Sequence, residues 1–256
     1  MSQSLADSLP GKGGSGLRVW LKSSAYTRRL LLGEGGDPWQ GAAQYLAYFS
    51  QAQGLLRPDV AVVEVGELFD SWLLRHPELR AELGAKRRLS FPLRKLLEQD
   101  GPRQQLAEVV EAVVANLRGQ TPLVLAMPSP KHWLLHASQL AGRSGVELDP
   151  DGIEDAAMYM ADLLRSVSAS PVGGVLLEEH PDDAEMGETD LERYRPLINV
   201  AHHYRWSLAL RPQGLTVAES PVLAEFDAVL SSAFVAAVPV STGVDVGCSL
   251  WSGDAL

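Results

Sequence analysis

The chain has 256 residues, of which 46% are hydrophobic and 21% are charged, a balance typical of globular domains and not of disordered chains. Its 32 acidic and 22 basic residues give a formal net charge of -10, which disfavours nucleic acids and anionic membranes as partners. The single cysteine, Cys248, excludes an intramolecular disulfide and Cys-rich metal sites, and it favours a cytoplasmic location.

Short apolar runs rich in β-branched residues follow a polar tail, which we place at residues 1–16. Most of the runs are continuously apolar, as is typical of parallel strands buried on both faces. They predict a single domain over residues 17–256. The predicted strands span residues 17–22, 60–65, 122–127, 172–178 and 206–211, with weaker candidates at 227–232 and 235–240.

Longer segments of helical period separate these runs. We predict helices over residues 38–55, 104–117, 151–167 and 190–204, and a helical excursion at about 67–100 that contains two more. Strand and helix in regular alternation predict an α/β fold. We favour a (β/α) TIM-type barrel, complete or incomplete, with six to eight parallel strands. An open doubly wound sheet is the alternative, although its Gly-rich phosphate-binding fingerprints are absent from the sequence.

Carboxylates and imidazoles stand at the ends of two predicted strands. Active sites of parallel α/β folds lie at the carboxyl ends of the strands, so we expect the chemistry there. Glu178, Glu179 and His180 occur together at the fourth strand, and His132 follows the third. We predict that Glu178 or Glu179, assisted by His132 or His180, transfers protons as a general acid or base. Which glutamate faces inward stays open, because a one-residue change of register exchanges the two faces.

Other polar residues at the same strand ends predict a binding site for a small anionic molecule. Lysine and arginine side chains bind a carboxylate or phosphate by charge-assisted hydrogen bonds, and arginine offers a bidentate fork. The predicted substrate-binding residues are Lys22, Tyr26, Arg28, Glu64, Ser129, Lys131 and Arg211.

No motif in the chain requires a cofactor. A divalent metal ion is a second hypothesis for an enzyme, because hard cations prefer oxygen ligands. Its ligands would be Glu64, Glu178, His180 and either Asp182 or Asp183.

Three segments resemble the (β/α)-barrel superfamily of uroporphyrinogen decarboxylase and the cobalamin-independent methionine synthases. They are VWLKSSAYTRRL (19–30), VGGVLLEE (172–179) and YRPLINVAHHYRWSLALR (194–211). The resemblance implies a pocket at the barrel mouth for a small anionic molecule, with lyase, decarboxylase-like or methyltransferase-like chemistry. The Gly-Arg-Tyr loop of the decarboxylases and the zinc-binding cysteines of the synthases are absent, so neither catalytic set is carried over.

The sequence therefore predicts a small-molecule enzyme that acts on an anionic metabolite. The alternative is a non-catalytic barrel subunit or binding protein that works with a partner chain or as a homo-oligomer. If one strand is missing, the barrel has an open sheet edge, and a partner chain or a second copy of this chain would need to cover that edge.

Overall fold

A parallel β-sheet forms the centre of the molecule. The computed structural model describes residues 20–180, 187–212, 221–231 and 241–244. Within these ranges six strands form one sheet in which every pair is parallel. The strands are β1 (Ala61–Glu64), β2 (Leu123–Pro128), β3 (Gly174–Glu178), β4 (Ser207–Arg211), β5 (Ala228–Ser231) and β6 (Ser241–Val244).

The strands follow one another across the sheet in chain order, from β1 to β6. A single parallel bridge between Trp20 and Val60 extends this order by one chain segment before β1. Open doubly wound sheets reverse their strand order at a switch point, and the described strands contain no such reversal. The predicted α/β fold with a parallel sheet is confirmed.

The predicted strands agree with the observed ones to within one or two residues at each end, as far as they can be compared. Of the first predicted strand, residues 17–22, only Trp20 forms a bridge, and residues 17–19 lie outside the described ranges. The polar tail at residues 1–16 and the strand predicted at residues 235–240 also lie outside them. β6 begins directly after that second segment.

The described residues form ten α-helices, and none of them is both long and apolar enough to cross a membrane. Helix starts follow local signals, such as a proline at the first helical position after a Ser or Asp cap. The helices are α1 (Ser24–Leu32), α2 (Ala42–Leu56), α3 (Val65–Arg75), α4 (Pro77–Glu82), α5 (Phe91–Leu97), α6 (Asp100–Leu117), α7 (Pro130–Leu140), α8 (Pro150–Arg165), α9 (Glu188–Glu192) and α10 (Arg195–Tyr204).

Two predictions about the helices need correction. The cationic segment after Trp20, where no helix was predicted, forms α1, because SAYTRRLLL consists largely of good helix formers and Thr27 Oγ1 donates a hydrogen bond to the Ser23 carbonyl. The helical excursion holds three helices, α3, α4 and α5, where two were predicted. His76 and Pro77 separate α3 from α4.

The two faces of the sheet are buried in different ways. Side chains at odd positions of β1, β2 and β3, such as Val63, Leu125 and Val175, join the large core beneath the helices. Side chains of opposite parity form a second, smaller apolar cluster on the other face. That cluster draws on all five strands from β1 to β5 and consists of Val60, Val124, Ala126, Leu176, Ala209 and Ala228. We name this second side the inner face.

Candidate functional site

Four charged side chains meet where the inner face reaches the carboxyl ends of the strands. Glu64, Glu178 and Arg211 are the last residues of β1, β3 and β4, and Lys22 follows the bridge at Trp20. Lys22 Nζ lies 3.2 Å from Glu64 Oε2 and 2.5 Å from Glu178 Oε2. Arg211 Nη1 lies 3.6 Å from Glu178 Oε1. We name these four residues the charged quartet.

Of the two adjacent glutamates, Glu178 points to the inner face. Leu176 belongs to the inner apolar cluster, and Glu178 stands two residues further along the same strand. Because strand side chains alternate between faces, Glu178 shares the face of Leu176, and Glu179 belongs to the other. Glu178 is also the direct cross-strand neighbour of Arg211 in the β3–β4 register.

The carboxylate of Glu178 is buried and only partly satisfied. Its side chain is 10% exposed, and Oε1 accepts no hydrogen bond. A buried carboxylate oxygen without a donor is energetically costly, and in a native protein a catalytic role or a bound ion is among its explanations. The two cations on either side of Glu178 compensate its charge without donating to this oxygen.

Lys22 is held in its charged form. Burial lowers the pKa of Lys22, but the negative charges of Glu178 and Glu64 outweigh it and raise the pKa above its ordinary value. A lysine that stays protonated acts as a fixed positive charge and not as an amine nucleophile. Lys22 can therefore anchor an anion or orient Glu178.

Glu179 belongs to a separate polar cluster on the helix side of β3. The Tyr194 hydroxyl donates a hydrogen bond of 2.6 Å to Glu179 Oε1, and burial, with the Glu179 charge, raises the pKa of Tyr194 well above its ordinary value. Ser129 caps α7 by accepting a hydrogen bond from the His132 amide. Lys131, buried beside it, forms an ion pair of 2.9 Å with Asp190. These contacts stabilise the docking of α7, α9 and α10.

The predicted imidazoles form a stack at the start of α7. The rings of His132 and His180 lie 5.0 Å apart and nearly parallel, and His136 follows at 6.2 Å from His132. His136 Nε2 lies 2.9 Å from Asp70 Oδ1 on α3. The structure thus brings His132 to His180, while the Glu178 contacts go to Lys22 and Arg211.

Arg28 and Tyr26, which follow Lys22 on α1, have different surroundings. Arg28 Nη2 lies 3.4 Å from Glu67 Oε1, while the Tyr26 side chain points largely into solvent. Glu67 also accepts hydrogen bonds from Ser24 Oγ at 2.8 Å and from the Trp39 indole at 3.4 Å. Gly66, directly before it, has no room for a side chain without strain, because a Cβ there would lie 3.0 Å from the Pro128 ring.

A cavity of about 50 Å³ opens beside the quartet, between α1, α2 and β1. Its lining combines Glu64 and Glu67 with the aromatic side chains of Tyr45, Tyr48 and Phe49. No sequence pattern marks these aromatic residues as binding residues, because their spacing on α2 is that of an ordinary core-facing stripe. We name this space the side cavity.

Glu67 supports a prediction about the pH dependence of stability. Burial, followed by the nearby Glu64 charge, raises the pKa of Glu67 above its ordinary value. The folded chain therefore keeps this proton at pH values where the unfolded chain has lost it. The stabilisation from the protonated form is complete below the ordinary carboxyl pKa and is lost as the pH rises through the raised one.

Glu67→Gln has no proton to lose, so its melting temperature should fall less than that of the wild type as the pH rises from the ordinary carboxyl pKa through the raised pKa of Glu67. Thermal unfolding at a series of pH values measures the difference. The control is Glu34→Gln, because the Glu34 side chain is 86% exposed. Equal pH dependence in the wild type and Glu67→Gln would contradict the prediction.

The described residues contain no group of three or more His, Cys, Asp or Glu side chains arranged to hold a metal ion. Asp182 and Asp183, which the metal hypothesis includes, lie outside the described ranges. Two other carboxylates of the metal hypothesis, those of Glu64 and Glu178, are bridged by the Lys22 ammonium group.

Comparisons with known proteins assign no family to this chain. No protein-family model matches it. No curated protein matches it significantly. The resemblance to the decarboxylase and methionine synthase superfamily therefore stays a prediction.

Proposed function

We propose that the chain is a (β/α)-barrel enzyme that binds a small anionic metabolite at the charged quartet and transfers a proton through Glu178. The observation that carries the proposal is the buried Glu178 carboxylate, which lies between two cations at the carboxyl ends of the strands and whose Oε1 accepts no hydrogen bond. Lyase or decarboxylase chemistry and one-carbon transfer are the first reaction classes to test. A cytoplasmic setting is part of the proposal and is favoured by the single cysteine.

Closure of the sheet into a barrel is supported by its strand order and by contacts across the inner face. On a flat sheet, the segment at Lys22 and strand β3 would be three strand spacings apart, or about 14 Å. The 2.5 Å contact between Lys22 Nζ and Glu178 Oε2 favours a sheet curled toward its inner face. Three alanines in the inner cluster, Ala126, Ala209 and Ala228, suit the narrow interior of such a barrel.

The quartet suits an anionic substrate because its cations are paired with carboxylates that a substrate could replace. An incoming carboxylate or phosphate would compete with Glu178 for Arg211, whose contact of 3.6 Å is the longest in the quartet. Glu178, released from Arg211, would be free to accept a proton at Oε1 or to return it. Lys22 would stay charged and hold the other carboxylate oxygen in place.

Titration calorimetry with inorganic phosphate and malonate tests anion binding. We expect millimolar affinity for one of them, weakened at least about tenfold by Arg211→Gln, since a charge-assisted hydrogen bond contributes about 1.5–3 kcal/mol. Arg211→Lys should keep most of the affinity. Arg29→Gln is the matched control, because its side chain is exposed and pairs only with Glu34 in the described structure.

Two results would overturn the proposal. One is the absence of phosphate and malonate binding by the folded wild type. The other is Arg211→Gln binding either anion as tightly as the wild type does.

A non-catalytic barrel subunit or binding protein is the second candidate, and one observation favours it. Each charge of the quartet already faces an opposite charge, as in a purely structural network. Native mass spectrometry of the untagged protein distinguishes the two. A retained anionic metabolite supports the enzyme, whereas an empty chain in complex with another protein supports the subunit.

A further inference from the structure

We infer that the side cavity is a binding site for a small primary ammonium group. This inference goes beyond proton transfer at Glu178 and does not depend on it. It rests on the volume, charge and aromatic lining of the space between α1, α2 and β1, and on the Tyr45 hydroxyl.

Two carboxylates give the lining of the cavity its negative charge. Glu64 and Glu67 both line it, whereas the cations that pair with them, Lys22 and Arg28, are not among its lining residues. Both carboxylates remain reachable, with side chains that are 14% and 21% exposed. At pH values above the raised pKa of Glu67, a ligand in the cavity therefore meets two negative groups at close range. A compact cation is the complementary charge.

The aromatic wall suits the same ligand. Tyr45 contacts Trp39 with ring centroids 4.1 Å apart and ring planes tilted by 35°, and it meets Tyr48 edge-on at 6.0 Å. Cations are attracted to the faces of such rings, and ammonium groups are commonly recognised by aromatic side chains together with a carboxylate. The rest of the lining combines polar side chains with apolar ones such as Leu56 and Val62, and the apolar ones suit the alkyl part of an amine.

Tyr45 supplies an observation independent of the acidic pair. Tyr45 lines the cavity and is 4% exposed. Within the described part of the chain its hydroxyl makes no hydrogen bond, whereas the neighbouring Tyr48 hydroxyl is shared with Thr27 Oγ1 at 2.5 Å. Burial, followed by the Glu67 charge, raises the pKa of Tyr45 well above its ordinary value, so the hydroxyl stays protonated. Its oxygen can accept a hydrogen bond from an ammonium group.

The volume limits the ligand. A buried water molecule needs about 10–15 Å³ of cavity volume. A cavity of about 50 Å³ therefore holds roughly three or four non-hydrogen atoms of that size. Methylammonium and ethylammonium fit this limit. A bulky quaternary amine does not fit without movement of the walls.

Nuclear magnetic resonance offers a local readout, because the Trp39 indole donates its N–H to Glu67 Oε2. We expect ethylammonium chloride to shift the assigned Trp39 indole resonance saturably, while ethanol, which is neutral and similar in size, does not. Glu67→Gln should weaken the binding at least about tenfold, and Tyr45→Phe about threefold. Glu34→Gln, which alters an exposed glutamate, should bind as the wild type does.

The inference is overturned if ethylammonium gives no saturable shift, if ethanol gives the same shift, or if Glu67→Gln binds with unchanged affinity. Should Glu67→Gln fail to fold, Tyr45→Phe decides the matter, because it keeps the ring and removes only the hydroxyl. Unchanged affinity in that variant overturns the inference, and weakened affinity supports it.

The test is independent of the proposed function. Arg211→Gln, which should weaken phosphate and malonate binding, should leave ethylammonium binding unchanged, because Arg211 does not line the side cavity. Failure of phosphate and malonate to bind at the quartet would contradict the proposed function but not the ammonium site.

Discussion

Replacing Glu178 with glutamine is expected to reduce turnover at least about a hundredfold, the usual contribution of a general acid or base. The same variant should bind inorganic phosphate about tenfold more tightly than the wild type, because Lys22 and Arg211 then face no carboxylate between them. It should also lose about 2 kcal/mol of unfolding free energy, since two cations lose a shared partner. Phosphate titration and urea unfolding measure the last two effects without a known substrate.

Glu179→Gln is the matched control for Glu178→Gln. The two glutamates are adjacent in the chain and both are buried, but Glu179 accepts its hydrogen bond from Tyr194 on the helix side. Its replacement should leave phosphate affinity unchanged. Equal phosphate affinity in the wild type and Glu178→Gln would remove the charge competition on which the proposed mechanism depends.

Leu176→Ala is expected to destabilise the protein by about 2–5 kcal/mol, the usual cost of truncating a fully buried leucine. Leu176 is 2% exposed and lies in the centre of the inner face, against side chains from neighbouring strands. If the sheet closes into a barrel, these neighbours cannot collapse into the space that the truncation leaves. The cost should then fall in the upper half of that range.

Leu74→Ala is the control for Leu176→Ala, because Leu74 lies on α3 and is 78% exposed. It should change the unfolding free energy by less than about 0.5 kcal/mol. Chemical denaturation of both variants at one pH gives the comparison. A loss below about 1 kcal/mol for Leu176→Ala would show that the inner face relaxes freely, as an open sheet face does.

The parallel α/β fold was predictable because its signals are local. Continuous apolar runs such as residues 122–127 are typical of buried parallel strands, and the helices between the strands carry periodic apolar faces. α1 was missed because the notable residues of its sequence, Tyr26 and Arg28, also suit a polar loop. Its helical preference became evident only with its packing against α2.

The residues of the site were predictable from the sequence, but the contacts among them were not. Lys22, Glu64, Glu178 and Arg211 were all expected at strand ends, and the structure brings these four together. Lys131, expected among the anion-binding residues, forms an ion pair with Asp190 on the helix side. The aromatic wall of the side cavity carried no local signal, because Tyr45 and Tyr48 have the same spacing as residues of an ordinary helix core.

Local sequence patterns were enough to predict the strands, most of the helices, the parallel sheet and the polar residues at the strand ends, because each depends on neighbours within a few positions. The directions of Glu178, which lies on the inner face, and Glu179, which contacts Tyr194, were not predictable in this way, since strand register depends on packing against distant elements. The tertiary structure also decided that Lys22 pairs with Glu178, 156 residues away. Contacts at that separation depend on how distant strands assemble, which no local pattern encodes.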